Sequence, residues 1–140
     1  MKMHYDVEGG EFINVGTASS QFKKTLKMLG IGADIIRRIS ISMYEAEINM
    51  VIHANGGSID TEITPERIHV VLQDQGPGIE NLDLAMKAGY STASRQAREM
   101  GFGAGMGLQN MKRNCDELQI SSVLGEGTRV EITVYLNQES

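Results

Sequence analysis

Apolar residues recur every three or four positions in two early stretches of the chain, and this spacing predicts two helices. The first stretch includes Phe22 and Leu26, and the helix that it predicts ends at Gly30. Thr17 or Ser19 could cap the N-terminus of this helix, since a hydroxyl can accept a hydrogen bond from the first-turn N–H groups. The second stretch predicts a longer helix over residues 34–54, with Asp34 as its cap.

Later stretches alternate between polar and apolar residues, which is typical of strands. Residues 58–64 and 67–74 flank a Pro65-Glu66 turn and predict a hairpin. The other predicted elements are a strand or hairpin over 3–7 and 11–15, short helices over 81–88 and 106–116, and strands over 118–123 and 128–136. Helices grouped early and antiparallel hairpins later predict an α+β two-layer sandwich, with a mixed but mostly antiparallel sheet that helices cover on one face.

Composition narrows the classes of function. A chain of 140 residues predicts one domain, over residues 1–140. Its net charge of −5 argues against binding to nucleic acid or to an acidic membrane surface. The lone Cys115 cannot form an internal disulfide, so we expect a reducing, cytoplasmic environment. Residues 1–11 lack the apolar run of a signal peptide, and no stretch approaches the roughly 18 apolar residues of a membrane span.

The long helix carries a carboxylate and an amide within its apolar run. Glu45 and Asn49 are one helical turn apart and therefore share a face, whereas Glu47 points roughly the opposite way. An amide oxygen is a hard ligand that suits Mg²⁺, and a carboxylate one turn away can orient or deprotonate a nucleophile that attacks a phosphate. The alternative is that both side chains line a solvated edge, and their spacing alone does not decide.

Asp74 lies at the end of a predicted strand and is followed by a glycine-rich turn. A carboxylate in a dehydrated pocket can accept a hydrogen bond from an exocyclic amine such as that of adenine. Gly76 and Gly78 would let the backbone approach a flat base without a Cβ clash. On these residues alone, an ordinary turn is the more common explanation.

A run of alternating glycines precedes the predicted helix at 106–116. Gly101, Gly103, Gly105 and Gly107 leave backbone N–H groups free to converge on an anion, and the helix that begins near Met106 adds the positive end of its dipole. The run has no Lys-Ser/Thr of a P-loop and does not follow an early strand as a dinucleotide fingerprint does. A phosphate cradle and a plain hinge both remain open.

Two further regions contribute candidates of lower specificity. Residues 89–105 lack steady periodicity and predict a mobile loop, in which Arg95 and Arg98 could reach phosphates or remain solvated charges. Thr128 follows a glycine turn and could place its hydroxyl near the base pocket, although a hairpin threonine needs no ligand.

Taken in order, these motifs resemble the Bergerat-fold ATPases, the superfamily of gyrase, sensor histidine kinases and MutL. The superfamily pattern is a Glu-x-x-x-Asn helix, an Asp-x-Gly-x-Gly turn and a glycine-rich lid hinge, here Glu45 to Asn49, Asp74 to Gly78 and Gly101 to Gly107. The small size and the stretches 74–79, 88–92 and 122–128 look most like the anti-sigma-factor and switch-kinase branch. The lid departs from the closest switch kinases, because 96–102 is longer and more charged.

The resemblance implies a role for each matching residue. Glu45 would be the general base, Asn49 the Mg²⁺ ligand, and Asp74 the residue that reads adenine, with Thr128 in support. The backbone positions would be Gly76 and Gly78 beside the base, and Gly101, Gly103, Gly105, Met106 and Gly107 at the phosphates. The cofactors implied are ATP and Mg²⁺.

The function that the resemblance implies is a serine/threonine protein kinase that phosphorylates a small STAS-domain anti-sigma antagonist. The alternative is a binding module that sequesters a sigma factor in an ATP-dependent manner with little catalysis. The catalytic domain of a histidine kinase is less favoured, because no helical hairpin with a phosphoacceptor His precedes the helix. A gyrase-like or MutL-like ATPase would need a second domain. A homodimer is among the expected oligomeric states.

Overall fold

A computed structural model describes residues 1–8, 15–53, 56–74, 107–123 and 127–136. Its strands are β1 (Lys2–Glu8), β2 (Gly56–Ile63), β3 (Arg67–Asp74), β4 (Glu117–Val123) and β5 (Gly127–Tyr135). Its helices are α1 (Thr17–Met28), α2 (Ala33–His53) and α3 (Gly107–Asn114). The predictions that fall on 11–14, 75–106 and 124–126 lie outside the described residues.

The five described strands form one sheet in the order β1-β2-β3-β5-β4. All of its pairings are antiparallel, and β2 and β3 form the hairpin that was predicted around Pro65. The exchange of order between β4 and β5 places β5 beside β3 in the middle of the sheet. The end of β3 and the start of β5 therefore lie next to each other.

The alternation of side chains along each strand gives the sheet one apolar face and one polar face. On β3 the apolar face carries Ile68, Val70 and Leu72. Their partners on β5 are Val134, Ile132 and Val130, respectively. These side chains are buried in one cluster with residues of α1, α2 and α3. The opposite face carries charged residues such as His69 and Glu131. The predicted two-layer α+β architecture, with helices on one face, is confirmed.

The start of α1 differs from the prediction. Neither Thr17 nor Ser19 caps the helix; the N-cap is Gly16, and the helix begins at Thr17. The cap is instead the carboxylate of Glu47 on α2. Glu47 accepts hydrogen bonds from the backbone N–H groups of Gly16, Ala18 and Ser19 at 2.9, 3.4 and 3.0 Å, and from the Ser19 hydroxyl at 2.7 Å. We call this group of four residues the capped junction.

The capped junction explains how a buried charge is tolerated in the core. Glu47 is 2% exposed, and a buried carboxylate is costly unless its oxygens are hydrogen-bonded. The first N–H groups of a helix have no partner within the helix and carry its positive dipole end, so a carboxylate suits them. The bonds from α1 therefore satisfy Glu47 and fix α1 against α2.

The second helix begins one residue earlier than predicted. Asp34 is not its cap but belongs to its first turn, where the carboxylate lies 3.1 Å from Nη2 of Arg37. The helix ends at His53, close to the predicted end. No helix in the described ranges is both long and apolar enough to cross a membrane.

Asp116 fixes the C-terminal end of α3. Its Oδ1 accepts a hydrogen bond from Arg38 of α2 at 2.9 Å, and its Oδ2 accepts one from the backbone N–H of Tyr135 at 2.7 Å. The neighbouring Cys115 is buried, and this burial raises the pKa of its thiol to about 11. The thiol therefore stays protonated at neutral pH and has the character of a core residue.

Candidate functional site

The two candidates on α2 lie together on one flank of the helix. Glu45 and Asn49 are both half-buried, while their neighbours Ala46 and Met50 are buried in the core. Glu47 faces the capped junction on the other side, as its position in the helix predicts. One flank of α2 is thus occupied by structural hydrogen bonds, and the other presents a carboxylate and an amide.

The carboxylate of Glu45 contacts the helix that follows the glycine run. Nδ2 of Asn110, in α3, donates a hydrogen bond to Oε1 of Glu45 at 3.2 Å. Next to Asn110, the side chain of Met111 is fully buried in the core. The sequence offered no signal for this pairing, because it joins positions 65 residues apart.

Asp74 ends β3, and its orientation is fixed by β5. Its Oδ1 accepts a hydrogen bond from the backbone N–H of Thr128 at 2.8 Å. Thr128 is buried on the helix-facing side of the sheet, so the structure brings together these two predicted residues. The contact to Thr128 that the structure shows here is through its backbone, whereas the sequence suggested a role for its hydroxyl.

Two glycines that sequence reasoning did not assign to the site pack against Asp74. A Cβ on Gly127 would meet the backbone carbonyl oxygen of Asp74 and lie 2.9 Å from Oδ1, and the φ of Gly127 is +128°. A Cβ on Gly57, which pairs with Asp74 in the sheet, would meet the carbonyl oxygen of Gln73 and lie 2.7 Å from Cα of Asp74. Only glycine fits these close approaches. The sequence signal that could have identified them is a glycine near the start of β2 and of β5.

The α2 candidates and Asp74 belong to the same end of the molecule. The Cε of Met50, next in sequence to Asn49, would lie 2.9 Å from a Cβ on Gly57, and Gly57 pairs with Asp74. Met50 therefore reaches the end of the sheet where β3 ends and β5 begins. We call Glu45, Asn49, Asp74 and Thr128 the candidate site.

The remaining predicted site residues are only partly visible. Gly107 is the first residue of α3, so that helix starts where the glycine run ends. Gly76, Gly78, Gly101, Gly103, Gly105 and Met106 lie outside the described residues, as do Arg95 and Arg98. The described residues hold no cluster of three or more His, Cys, Asp or Glu that could bind a metal.

The Asn49 amide oxygen would suit a magnesium ion that is held mainly by phosphate and water. Mg²⁺ keeps several waters and takes one or two protein oxygens, and the Asn49 amide could supply one.

Tyr44 lies next to Glu45 in α2. Burial, and to a smaller extent the charges of Glu45 and Glu47, raise the pKa of the Tyr44 hydroxyl. Tyr44 therefore remains neutral at physiological pH.

Comparison with known proteins gives the same family that the motifs suggested. Residues 34–138 match the model of the histidine kinase-, DNA gyrase B- and HSP90-like ATPase family. The chain is 32% identical to the serine/threonine-protein kinase RsbT of Bacillus subtilis, over 81% of this chain and 83% of the relative. It is 31% identical to the anti-sigma F factor of a Thermoanaerobacter species, over 74% of this chain and 73% of the relative.

Solved structures show the same fold at low sequence identity. The RsbU and RsbW domains of a Mycobacterium tuberculosis protein match with a TM-score of 0.66 at 17% identity, over 97% of this chain and 32% of that longer one. The mycobacterial sensor histidine kinase MprB matches with a TM-score of 0.55 at 16% identity, over 96% of this chain and 97% of that one. These structures confirm the fold. The family match and the two sequence relatives confirm the predicted superfamily, its anti-sigma-factor and switch-kinase branch, and the expected enzyme class of that branch.

Proposed function

Because the chain belongs to the histidine kinase-, DNA gyrase B- and HSP90-like ATPase family, we propose that it is a Mg·ATP-dependent serine/threonine protein kinase of the switch type. Its substrate would be a hydroxyl on a small STAS-domain anti-sigma antagonist. The observation that carries the proposal is the half-buried flank of α2, where Glu45 and Asn49 share one face. The similarity to a serine/threonine-protein kinase over 81% of the chain supports it.

Asp74 would recognise the adenine base. The Thr128 N–H holds its carboxylate at 2.8 Å, and a carboxylate so oriented can accept a hydrogen bond from the exocyclic amine. Gly57 and Gly127 keep the surrounding backbone close, and Gly76 and Gly78 would do the same beside the ring. A base with a carbonyl in place of the amine would leave two acceptors facing each other, so guanine is disfavoured.

The phosphates would lie between Asn49 and the start of α3. The first-turn N–H groups of α3 and its dipole favour an anion at Gly107. The backbones of Gly101, Gly103, Gly105 and Met106 would complete the cradle. Bound Mg²⁺, held by the Asn49 amide oxygen, would neutralise charge on the phosphates.

Glu45 would act as the general base. Its carboxylate accepts the proton of the substrate hydroxyl as that oxygen bonds to the γ-phosphorus. The bond from the γ-phosphorus to the β–γ bridging oxygen breaks, and ADP leaves with that oxygen. The protein would lower the barrier mainly by positioning and charge neutralisation, as phosphoryl transfer requires.

The test is phosphotransfer from labelled ATP to purified STAS-domain proteins. Glu45→Gln keeps the size of the side chain but removes the base, so transfer falls by about 10²–10⁴-fold with little change in melting temperature. Glu66→Gln, the same substitution at an exposed position in the β2–β3 turn, is the matched control and retains wild-type transfer. Equal transfer by the wild type and Glu45→Gln would show that the base is wrongly assigned.

A second candidate function is an ATP-gated anti-sigma factor that sequesters a sigma factor without much chemistry. The similarity to anti-sigma F factors supports it. Pull-downs with and without Mg·ATP separate the two functions, since nucleotide-dependent capture without phosphotransfer favours the binding module. Both functions require a cytoplasmic protein, because ATP and sigma factors are found there. Sedimentation would test the expected homodimer.

A further inference from the structure

Asn110 is the residue outside the predicted motifs that makes the most direct contact with the proposed base. It lies in the first half of α3, three residues after Gly107, and its Nδ2 is 3.2 Å from Oε1 of Glu45. An ionised carboxylate has only acceptors, so the nitrogen of the amide, not its oxygen, faces Glu45. Among the described residues, no donor is bonded to the second oxygen, Oε2.

We propose that Asn110 is a positioning residue for Glu45, an inference that rests on the proposed kinase function. Its amide holds Oε1 and so directs Oε2 toward the substrate hydroxyl. In the proposed arrangement the side chain of Asn110 contacts Glu45 and would contact neither the substrate nor the nucleotide.

The position of Asn110 is fixed by the packing of α3. Met111 is fully buried, and Asp116, just beyond the helix, is bonded to both Arg38 and Tyr135. Within α3, Nδ2 of Asn114 donates to the carbonyl oxygen of Asn110 at 2.8 Å. These contacts hold the amide where it meets Glu45. The base is therefore oriented by the helix that begins at the end of the glycine run.

The decisive variant is Asn110→Asp, which has nearly the same shape but replaces the donor with an oxygen. A second carboxylate beside Glu45 opposes ionisation of the pair, which then titrates as a coupled unit. We expect kcat at pH 7 to fall by about ten-fold or more because Oε1 loses the donor that positions it. The acid limb of the pH profile should move up by about one unit because of the added charge. The KM for ATP should change by less than about two-fold, since nucleotide contacts are untouched.

Two further variants separate positioning from a purely structural role. Gln119→Glu makes the same change of charge at an exposed position of β4, and it leaves the pH profile of kcat unmoved whatever it does to stability. Asn110→Gln keeps an amide donor on a longer side chain and recovers part of the lost kcat. If Gln119→Glu shifted the profile as much as Asn110→Asp, or if the Asn110→Asp profile overlaid that of the wild type, the inference would be overturned.

A measurement without catalysis keeps this inference distinct from the proposed function. Carbon-detected NMR follows the titration of the Glu45 carboxyl group in the nucleotide-free protein. In Asn110→Asp that titration moves to higher pH than in the wild type, and in Gln119→Glu it does not. An unmoved Glu45 titration in Asn110→Asp refutes the inference even if the kinase is active. Absence of phosphotransfer by the wild type refutes the proposed function even if the titration moves.

Discussion

Glu45 and Glu47 stand on the same helix with one residue between them, yet they belong to two different regions of the molecule. Glu47 is 2% exposed, and its oxygens take four hydrogen bonds from α1 in the capped junction. Glu45 is half-buried in the candidate site, and among the described residues it takes one hydrogen bond, from Asn110. A carboxylate whose oxygens are all occupied can stabilise the fold but cannot readily accept a proton from a substrate. The comparison therefore assigns a structural role to Glu47 and supports the chemical role that we propose for Glu45.

The largest expected effect on stability comes from the capped junction. Glu47→Ala leaves the three N–H groups and the Ser19 hydroxyl without their buried acceptor, so the free energy of unfolding falls by about 3 kcal/mol. Glu45→Ala, the same truncation on the opposite flank of α2, lowers the free energy of unfolding by about 1 kcal/mol or less. Urea unfolding of both variants measures the difference. Equal losses would contradict the division of roles.

A smaller effect on stability is expected at Asp74. Gly127→Ala forces a Cβ against the Asp74 carbonyl oxygen at a positive φ, so the free energy of unfolding falls by about 2 kcal/mol. ATP binding should weaken in parallel because the Asp74 carboxylate is displaced. A Cβ on Gly32 meets nothing within 4 Å, so Gly32→Ala is the control, with a loss of at most about 1 kcal/mol at the start of α2. If Gly127→Ala matched this control, Asp74 would not depend on the close approach.

The smallest effect is expected at an exposed pair of carboxylates. His4 lies 2.7 Å from Asp60 and 2.9 Å from Asp6. These distances resemble those at Glu47, but all three side chains are exposed to solvent. The hydrogen bonds to Asp60 and then Asp6 raise the pKa of His4 above 6.5. Their contribution to stability is therefore complete below pH 6.5 and is lost as the pH rises through the raised value.

His4→Gln tests this exposed pair. In the wild type the unfolding midpoint should fall slightly as the pH rises from 6.5 through the raised pKa of His4, and the variant should lack this fall. Above the raised pKa the two proteins should be equally stable. Unfolding curves across that range measure it, with Lys2→Gln on the same strand as the control. A loss as large as that of Glu47→Ala would mean that burial is not what separates strong from weak carboxylate contacts here.

The sequence predicts well what depends on local pattern. Three features depend only on residues close together in sequence. They are the apolar period of α2, the hairpin around Pro65 and the helical spacing of Glu45 and Asn49. Each of these elements is present in the structure. The assignment of Glu47 to the opposite flank follows from the same helical geometry.

What the sequence does not predict depends on contacts between distant segments. The cap of α1 comes from Glu47, about 30 positions away, so a search for a local Ser or Thr chose the wrong residue. The backbone bond from Thr128 to Asp74 requires β5 to lie beside β3, an order that the chain does not show directly. The contact of Asn110 with Glu45 likewise needs α3 to pack on α2.

Nucleotide binding at the candidate site is the property on which every proposed residue role depends. Calorimetric titration with ATP and Mg²⁺ at millimolar concentrations tests it, with Asp74→Asn as the variant and GTP as the alternative ligand. We predict binding of ATP by the wild type, at least about ten-fold weaker binding by Asp74→Asn because an acceptor for the adenine amine is altered, and weaker binding of GTP. Absence of ATP binding by the wild type, or equal affinity in Asp74→Asn, would contradict the account.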